Sequence, residues 1–279
     1  MHDQISRIAE RLVERLRSLN SVGVAFSGGV DSAVVAMAAF QALGEDSVAV
    51  TAVSPSLSED DLQTARSVAE AIGIRHAELK TDEFSRPEYR RNESDRCFFC
   101  KDTLYSLILQ NVDQLRIENI VNGANRDDLG DHRPGMKAAT RHQVLSPLIE
   151  LGIGKQEVRE LARFWGLSVS EKPASPCLSS RIAYGLEVTE ERVRRVALAE
   201  RFLKTLLGTQ ELRVRHEHGN LARIEVPMYV IPMMAESETG KRVSEHLRSL
   251  GFQYVTLDLD GFRSGSMNAG LNLVSLRTN

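Results

Sequence analysis

Apolar residues recur at Ile5, Ile8, Leu12, Leu16 and Leu19, the spacing of one helical face, so residues 3–19 are predicted as an amphipathic helix. The apolar run Val22 to Phe26 has the length of a buried strand, and the alanine-rich stretch Ala33 to Leu43 reads as a helix. Ser47 to Val53 is a second β-rich run. Ser58 followed by Glu59, Asp60 and Asp61 opens a helix with a hydroxyl cap and acids against the positive end of the dipole. That helix runs to about Ile72, and Gly73 ends it. Ile74 to Leu79 is a third strand, Lys101 to about Val112 a helix and Ile117 to Val121 a fourth strand. Val144 to Leu148 reads as a short fifth strand, and Lys155 to Trp165 as a helix ended by Gly166. Strands alternating with helices predict an α/β fold with a doubly wound parallel sheet, in which ligands bind beyond the carboxyl ends of the strands. Four segments fall at such ends: Ser27–Ser32, Val53–Ser54, Asn122–Asp128 and the loop around Cys177.

After Ser175 the pattern changes. Thr189 to Leu207 is a long capped helix, Leu212 to His216 and Ala222 to Val226 form a hairpin about a His-Gly-Asn turn, and Glu236 to Leu250 and Tyr254 to Leu259 give one more helix and strand. This order predicts a smaller α+β C-terminal domain, with residues 1–173 as the first domain and 174–279 as the second. The glycine- and asparagine-rich end, Gly261 to Asn279, receives no assignment.

Hydrophobic residues make up 42% of the 279 positions and charged residues 26%, so the chain can bury an ordinary core. A net charge of −3 gives no overall basic field, so nucleic acid is not the expected partner. No apolar run reaches the roughly 20 residues a bilayer span needs, and the amino terminus shows no signal-peptide pattern. Three cysteines, an odd number, argue against a disulfide framework and for a reducing, cytoplasmic setting.

The strand Val22 to Phe26 leads through Ser27-Gly28-Gly29-Val30-Asp31-Ser32 into a helix. Free amides at a helix start and the helix dipole make an anion site, glycines let backbone approach a phosphate, and Ser27 and Ser32 add hydroxyls. Asp31 suits a Mg²⁺ ion or hydrogen bonds within the loop. The spacing is neither the Walker loop nor the dinucleotide fingerprint. It resembles the PP-loop of ATP pyrophosphatases, which implies an adenine nucleotide alpha-hydrolase-like fold and cleavage of ATP between the α- and β-phosphates.

Cys177 lies in Lys172-Pro-Ala-Ser-Pro-Cys-Leu-Ser-Ser-Arg181, where two prolines keep the chain extended and Lys172 and Arg181 favour a thiolate. A small buried linker residue is the plainer alternative. This segment, Asp131-His-Arg-Pro-Gly135, Leu212-Arg-Val-Arg215, Ala222-Arg-Ile-Glu225 and the run from Tyr254 to Asn268 together resemble the LarE family, ATP-dependent sulfur transferases of nickel-pincer nucleotide synthesis. The resemblance implies ATP and Mg²⁺, a pyridinium-3,5-biscarboxylic acid mononucleotide as substrate, Cys177 as a sacrificial sulfur donor, and a homo-oligomer. It also implies that Arg213 and Arg215, alternating on one strand face, and Arg181 bind the substrate phosphate. Glu200 falls at a position where a metal contact is conceivable, although a helical glutamate ordinarily lies exposed. Asn122-Gly-Ala-Asn-Arg-Asp-Asp128 resembles the second PP-loop signature, or is a polar turn.

Cys97-Phe-Phe-Cys100 departs from the sacrificial scheme. With Cys177 it supplies three thiolates, enough to hold a [4Fe–4S] cluster with one iron open to carry sulfide, an arrangement that some LarE-like and tRNA-thiolating enzymes resemble. Zinc, a dithiol redox pair, or a helix start with two buried cysteines are the other readings. The competing functions are a tRNA thiolase, an ammonia-dependent amidating synthetase of the NAD or GMP synthetase type, and a nucleotide sensor without catalysis.

Overall fold

The computed structural model describes residues 2–130, 134–173 and 175–263. Asp131 to Arg133, Ala174 and the run from Ser264 to Asn268, all part of the segments quoted above, lie outside the described residues. The chain divides into two compact units: residues 1–89 with 94–175, and residues 90–93 with 176–279.

The first unit contains α1 (His2–Arg17), β1 (Val22–Ala25), α2 (Val30–Leu43), β2 (Ser47–Val53), α3 (Glu59–Ile72), β3 (Arg75–Lys80), α4 (Arg96–Gln110), β4 (Asn119–Val121), α5 (Pro134–Arg141) and α6 (Lys155–Phe164). Its sheet has the order β3-β2-β1-β4, and every pairing is parallel. Side chains alternate across the sheet. Val22, Val24 and Ala49 join Leu12, Leu16, Val34 and Leu161 in one apolar layer, while Ala25, Val48 and Val50 join Leu104, Ile108 and Ala138 in the other. Both faces are therefore covered, which is why β1 reads as an unbroken apolar run. The order reverses direction at β1, with β2 on one side and β4 on the other. In a doubly wound sheet that reversal opens a crevice at the carboxyl ends of the two strands.

Local signals account for the helix ends. Ser58 Oγ accepts from Asp61 N at 3.1 Å, and Gly73 takes the left-handed conformation that closes α3. Two expectations change. α4 begins at Arg96, so Cys97 and Cys100 lie within its first two turns. Val144 to Leu148 forms no strand: Leu145 makes a single parallel bridge to Val121, and the chain turns at Pro147 into a short helix.

The second unit holds α7 (Glu190–Leu207), β5 (Arg213–Glu217), β6 (Leu221–Glu225), α8 (Ser237–Ser249) and β7 (Tyr254–Leu257). β5 and β6 pair antiparallel, and β7 adds parallel to β6. Val214, His216, Ala222 and Ile224 face one way and are buried with Val196, Leu203, Leu247 and Phe252. The other face carries Arg213, Arg215 and Glu217 opposite Glu225, Arg223 and Leu221. Asn92 anchors residues 90–93 to this unit by donating to the carbonyls of Ile182, Ala183 and Leu186.

Candidate functional site

In the first unit the Ser27–Ser32 segment leaves β1 and enters α2. Gly28 has φ +67°, and a Cβ there would stand 2.8 Å from Ala65 Cα, so both conformation and space demand glycine. Ser32 Oγ donates to Gly29 O at 3.0 Å and lies 3.2 Å from Ser27 Oγ, while Gly29 N donates to Ser27 Oγ at 3.3 Å. The two hydroxyls therefore fold the loop back on itself. Gly29 stands at the cap position without a side-chain cap, leaving the first amides of α2 to an external acceptor.

The loop after β4 lies directly on this turn. A Cβ on Gly123 would approach Ser32 N to 2.7 Å. Asn125 Nδ2 donates to Asp31 Oδ1 at 3.0 Å. Lys155, the first residue of α6, donates from Nζ to Asp31 Oδ2 at 2.5 Å. Its own N–H donates to Asp127 Oδ2 at 2.8 Å, and this bond holds the Asp127 carboxyl below its ordinary range. The segments Ser27–Ser32 and Asn122–Asp128 thus come together at the switch point. Lys155 went unnoticed in the sequence. Its signal was its place, one residue after Gly154 at the head of a helix in a doubly wound fold.

Asp31 presents one carboxylate toward the anion site. That suits a Mg²⁺ ion carried in with nucleotide phosphates better than a protein-built metal cage. Among the described residues, no group of three or more His, Cys, Asp or Glu side chains converges to hold a metal ion.

Cys97 is exposed and Cys100 half-buried, so neither is the buried packing residue that the plainer reading expects. Their separation by three positions puts them on one face of α4. Further along the same helix, Asp102 accepts from Arg86 Nη1 and His142 Nε2, each at 2.8 Å. Burial pushes the Asp102 carboxyl up, but these bonds and the charge of Arg141 outweigh it and hold it low.

In the second unit Cys177 is exposed, immediately before the buried turn Leu178–Arg181. Arg181 ends that turn and folds its guanidinium back on the residues before it. Its Nη1 donates to the carbonyls of Pro176 and, at 3.1 Å, Cys177, while its Nε donates to Glu200 Oε1 at 3.0 Å. Glu200 is 4% exposed, which corrects the expectation of a solvated helical glutamate. Its Oε1 also accepts from Val214 N at 3.1 Å, tying α7, β5 and the Cys177 turn together. The two cations read as the surroundings of the thiol both carry carboxylate partners. Arg181 has Glu200, and Lys172, in the first unit, donates to Asp61 Oδ1 at 3.0 Å.

Arg213 and Arg215 share a strand face but differ in their partners. Arg215 is buried and donates to Glu225 Oε2 at 2.9 Å and to Ser180 O at 3.2 Å. Arg213 is half-buried, lies 5.1 Å from the Phe262 ring centre and, among the described residues, forms no ion pair. Burial, then the charge of Arg181, lowers its pKa to about 10; Glu200 opposes the shift and Arg215 adds to it. Its charge is therefore incompletely neutralised, a condition that an anion would relieve.

No helix among the described residues is long and apolar enough to cross a membrane. The asparagine synthase family matches residues 6–87. The chain is 43% identical over 259 residues to an uncharacterized protein of Synechocystis sp., covering 93% of this chain and 96% of that one. A tRNA-specific 2-thiouridylase of Wolbachia pipientis is 26% identical over 257 residues, 77% of this chain and 70% of its own. Pyridinium-3,5-bisthiocarboxylic acid mononucleotide synthase of Lactiplantibacillus plantarum is 37% identical over 274 residues, 96% of each chain. Identity of that degree along almost the entire length of both chains decides the family: the chain belongs to the LarE family of ATP-utilising PP-loop enzymes.

Proposed function

We propose that the protein is an ATP-dependent sulfurtransferase that converts the carboxylates of pyridinium-3,5-biscarboxylic acid mononucleotide to thiocarboxylates, releasing AMP and pyrophosphate. In this reading residues 1–173 bind and split ATP, and residues 174–279 bind the pyridinium nucleotide and transfer sulfur. The observation that carries it is the exposed Cys177 thiol on a turn whose carbonyls are held by buried Arg181.

A carboxylate becomes electrophilic only when one of its oxygens is made a good leaving group. Its oxygen attacks the α-phosphorus of ATP and pyrophosphate departs, leaving an acyl-adenylate. Ser27, Gly28, Gly29, Ser32 and the first amides of α2 offer donors for the phosphates, and Asp31 a ligand for their Mg²⁺. The Cys177 thiolate then attacks the acyl carbon, expels AMP and forms a thioester. Loss of the Cys177 α-proton and cleavage of its Cβ–Sγ bond send the electron pair out with the thiocarboxylate and leave dehydroalanine in the chain. Arg213, Arg215 and Arg181 are the proposed holders of the substrate phosphate, with Arg213 the one that forms no ion pair among the described residues.

The placement of Cys97 and Cys100 on one helical face supports a second sulfur source. With Cys177 they would hold a [4Fe–4S] cluster, whose open iron would carry an exogenous sulfide in place of the cysteine sulfur. The described residues bring no three such ligands together, so no step above passes through a cluster.

Intact mass of anaerobically purified protein, before and after reaction with ATP, Mg²⁺ and the pyridinium nucleotide, tests both. Loss of the mass of H₂S, mapped to Cys177, is the expected result. Thiolated product with unchanged protein mass would assign the sulfur to the second source. Absence of thiolated product, with sulfide present, would overturn the sulfurtransferase reading.

A further inference from the structure

Three of the four large apolar side chains exposed among the described residues of the second unit lie on two turns that are bonded to each other. They are Met228, Tyr229 and Leu259, at 62%, 77% and 77% exposure. The turn Met228–Val230 follows Pro227 after β6; it buries Val230 and leaves Met228 and Tyr229 outside. The second turn follows β7 and is closed by Gly261 N donating to Asp258 O at 3.1 Å. Phe262 N then donates to Val226 O at 2.8 Å, and a Cβ on Gly261 would stand 3.0 Å from Met228 Sδ. Phe262 in turn faces Arg213, with 5.1 Å between its ring centre and the guanidinium carbon. The exposed turns are thus continuous, through Gly261 and Phe262, with the arginine whose charge is incompletely neutralised. The Tyr229 side chain enters no hydrogen bond, ion pair or ring contact among the described residues.

Single exposed apolar residues need no explanation, whereas a group of them beside a charged site marks a place of contact. Charge identifies the occupant. The mononucleotide carries a phosphate at one end of its ribose and a permanently cationic ring at the other. Arg213 suits the first, and the electron-rich face of a tyrosine suits the second. The acids of the second turn are compensated: Asp258 accepts from Arg223 Nη1 at 2.7 Å, and Asp260 lies 2.9 Å from Arg263 Nη2, so neither meets the substrate carboxylates as a bare charge. We propose that Tyr229 receives the pyridinium ring on its face, with Met228 as the adaptable apolar wall beside it, while Arg213 holds the phosphate. This assignment rests on the sulfurtransferase reading above and makes the positive charge of the ring part of what the protein recognises.

Calorimetric binding to the full chain tests it with three ligands: the pyridinium-3,5-biscarboxylic acid mononucleotide, its neutral dihydropyridine form, and ribose 5-phosphate, which has no ring. Tyr229→Ala and Tyr229→Leu are expected to bind the cationic nucleotide about five- to thirtyfold more weakly than wild type. Tyr229→Phe, which keeps the aromatic face, is expected to recover most of that loss. Tyr229→Leu should bind the dihydropyridine form as wild type does, and every variant should bind ribose 5-phosphate equally. Unchanged affinity of Tyr229→Ala for the cationic nucleotide would overturn the assignment and leave the sulfurtransferase reading standing. So would equal loss by Tyr229→Leu for the cationic and neutral rings, or a loss for ribose 5-phosphate as large as for the nucleotide. A lower mass of Tyr229→Ala by light scattering, with affinity unchanged, would give the two turns to a contact between copies of this chain instead. A wild type that binds none of the three ligands would overturn the substrate reading and this inference with it.

Discussion

Arg181 Nε donates to Glu200 Oε1 over 3.0 Å, and the two side chains are 4% and 6% exposed. A buried pair of this kind is costly to break, because the surviving partner keeps its charge without its counter-charge. Glu200→Ala also strips Val214 N of its acceptor. It is expected to lower stability by about 3–5 kcal/mol, seen as a lower melting temperature by circular dichroism. Arg181 holds the carbonyls of Pro176 and Cys177, so the Cys177 turn should loosen as well. Alkylation of Cys177 by a neutral reagent is expected to change rate in Glu200→Ala. An unchanged rate would separate the ion pair from the positioning of the thiol.

Gly28 meets two independent constraints, a φ of +67° and a gap to Ala65 Cα that a Cβ would close to 2.8 Å. The conformation alone costs an L-residue about 1–2 kcal/mol, and the contact is with backbone that cannot swing aside. Gly28→Ala is therefore expected to lower stability by more than about 2 kcal/mol and to displace the start of α2. Nucleotide affinity should fall with it. A variant of wild-type stability that binds ATP normally would show that the loop tolerates another path.

Most of the helix and strand order of both units was legible in the sequence, α5 (Pro134–Arg141) being the helix it did not announce, because the decisive signals are local. Ser58, Gly73 and Thr189 announce their helix ends within three or four residues, and the structure uses each one. The glycine turn was legible for the same reason. Val144 to Leu148 misled because an apolar run of strand length there serves one bridge and then a buried turn at Pro147. Lys155 and the burial of Glu200 were hidden by distance. Their partners lie 124 and 19 positions away, and nothing in a helical lysine or glutamate tells a surface residue from one aimed at a loop. The unequal partners of Arg213 and Arg215 were hidden because strand alternation gives a shared face but not the contacts on it.

His216 is fully buried beside Phe252, 5.1 Å between ring centres, and burial lowers its pKa to about 4. The bond to Asn220 raises it, Arg195 and Arg192 lower it further, and Glu191 opposes them. An unfolded histidine titrates near 6.5, so between those values the unfolded chain binds a proton that the folded unit refuses. Stability contributed by this group is present above about pH 6.5 and is lost as pH falls toward 4. The expected loss from pH 7 to pH 5 is on the order of 2 kcal/mol. His76, also lowered by burial, acts in the same sense in the first unit. The single tryptophan, Trp165, belongs to the first unit, so hydrogen exchange of the β5 and β6 amides is the suitable probe. His216→Phe should flatten their pH dependence. The same dependence in that variant would assign the effect to other groups.

Arg213 and Arg215 separate binding from stability. Arg215 faces Glu225, which is 0% exposed, so Arg215→Ala removes one of the cations from a buried carboxylate. Arg223 Nη1 still donates to Glu225 Oε1 at 2.7 Å and limits the damage, which places the expected cost near the lower end of the range for a broken buried pair, about 3 kcal/mol. Arg213 forms no ion pair among the described residues, and its lowered pKa of about 10 still leaves it charged at neutral pH. Arg213→Ala is therefore expected to leave the melting temperature nearly unchanged. It should weaken binding of the pyridinium mononucleotide by roughly tenfold to a hundredfold, the value of about 1.5–3 kcal/mol for a charged hydrogen bond. The corresponding nucleoside, which lacks the phosphate, supplies the control: wild type and Arg213→Ala should bind it equally. Equal loss for nucleoside and nucleotide would mean that Arg213 shapes the β5 face rather than reading the phosphate. No loss for either would remove Arg213 from the phosphate site and leave Arg215 and Arg181, each paired with a carboxylate, as its proposed holders.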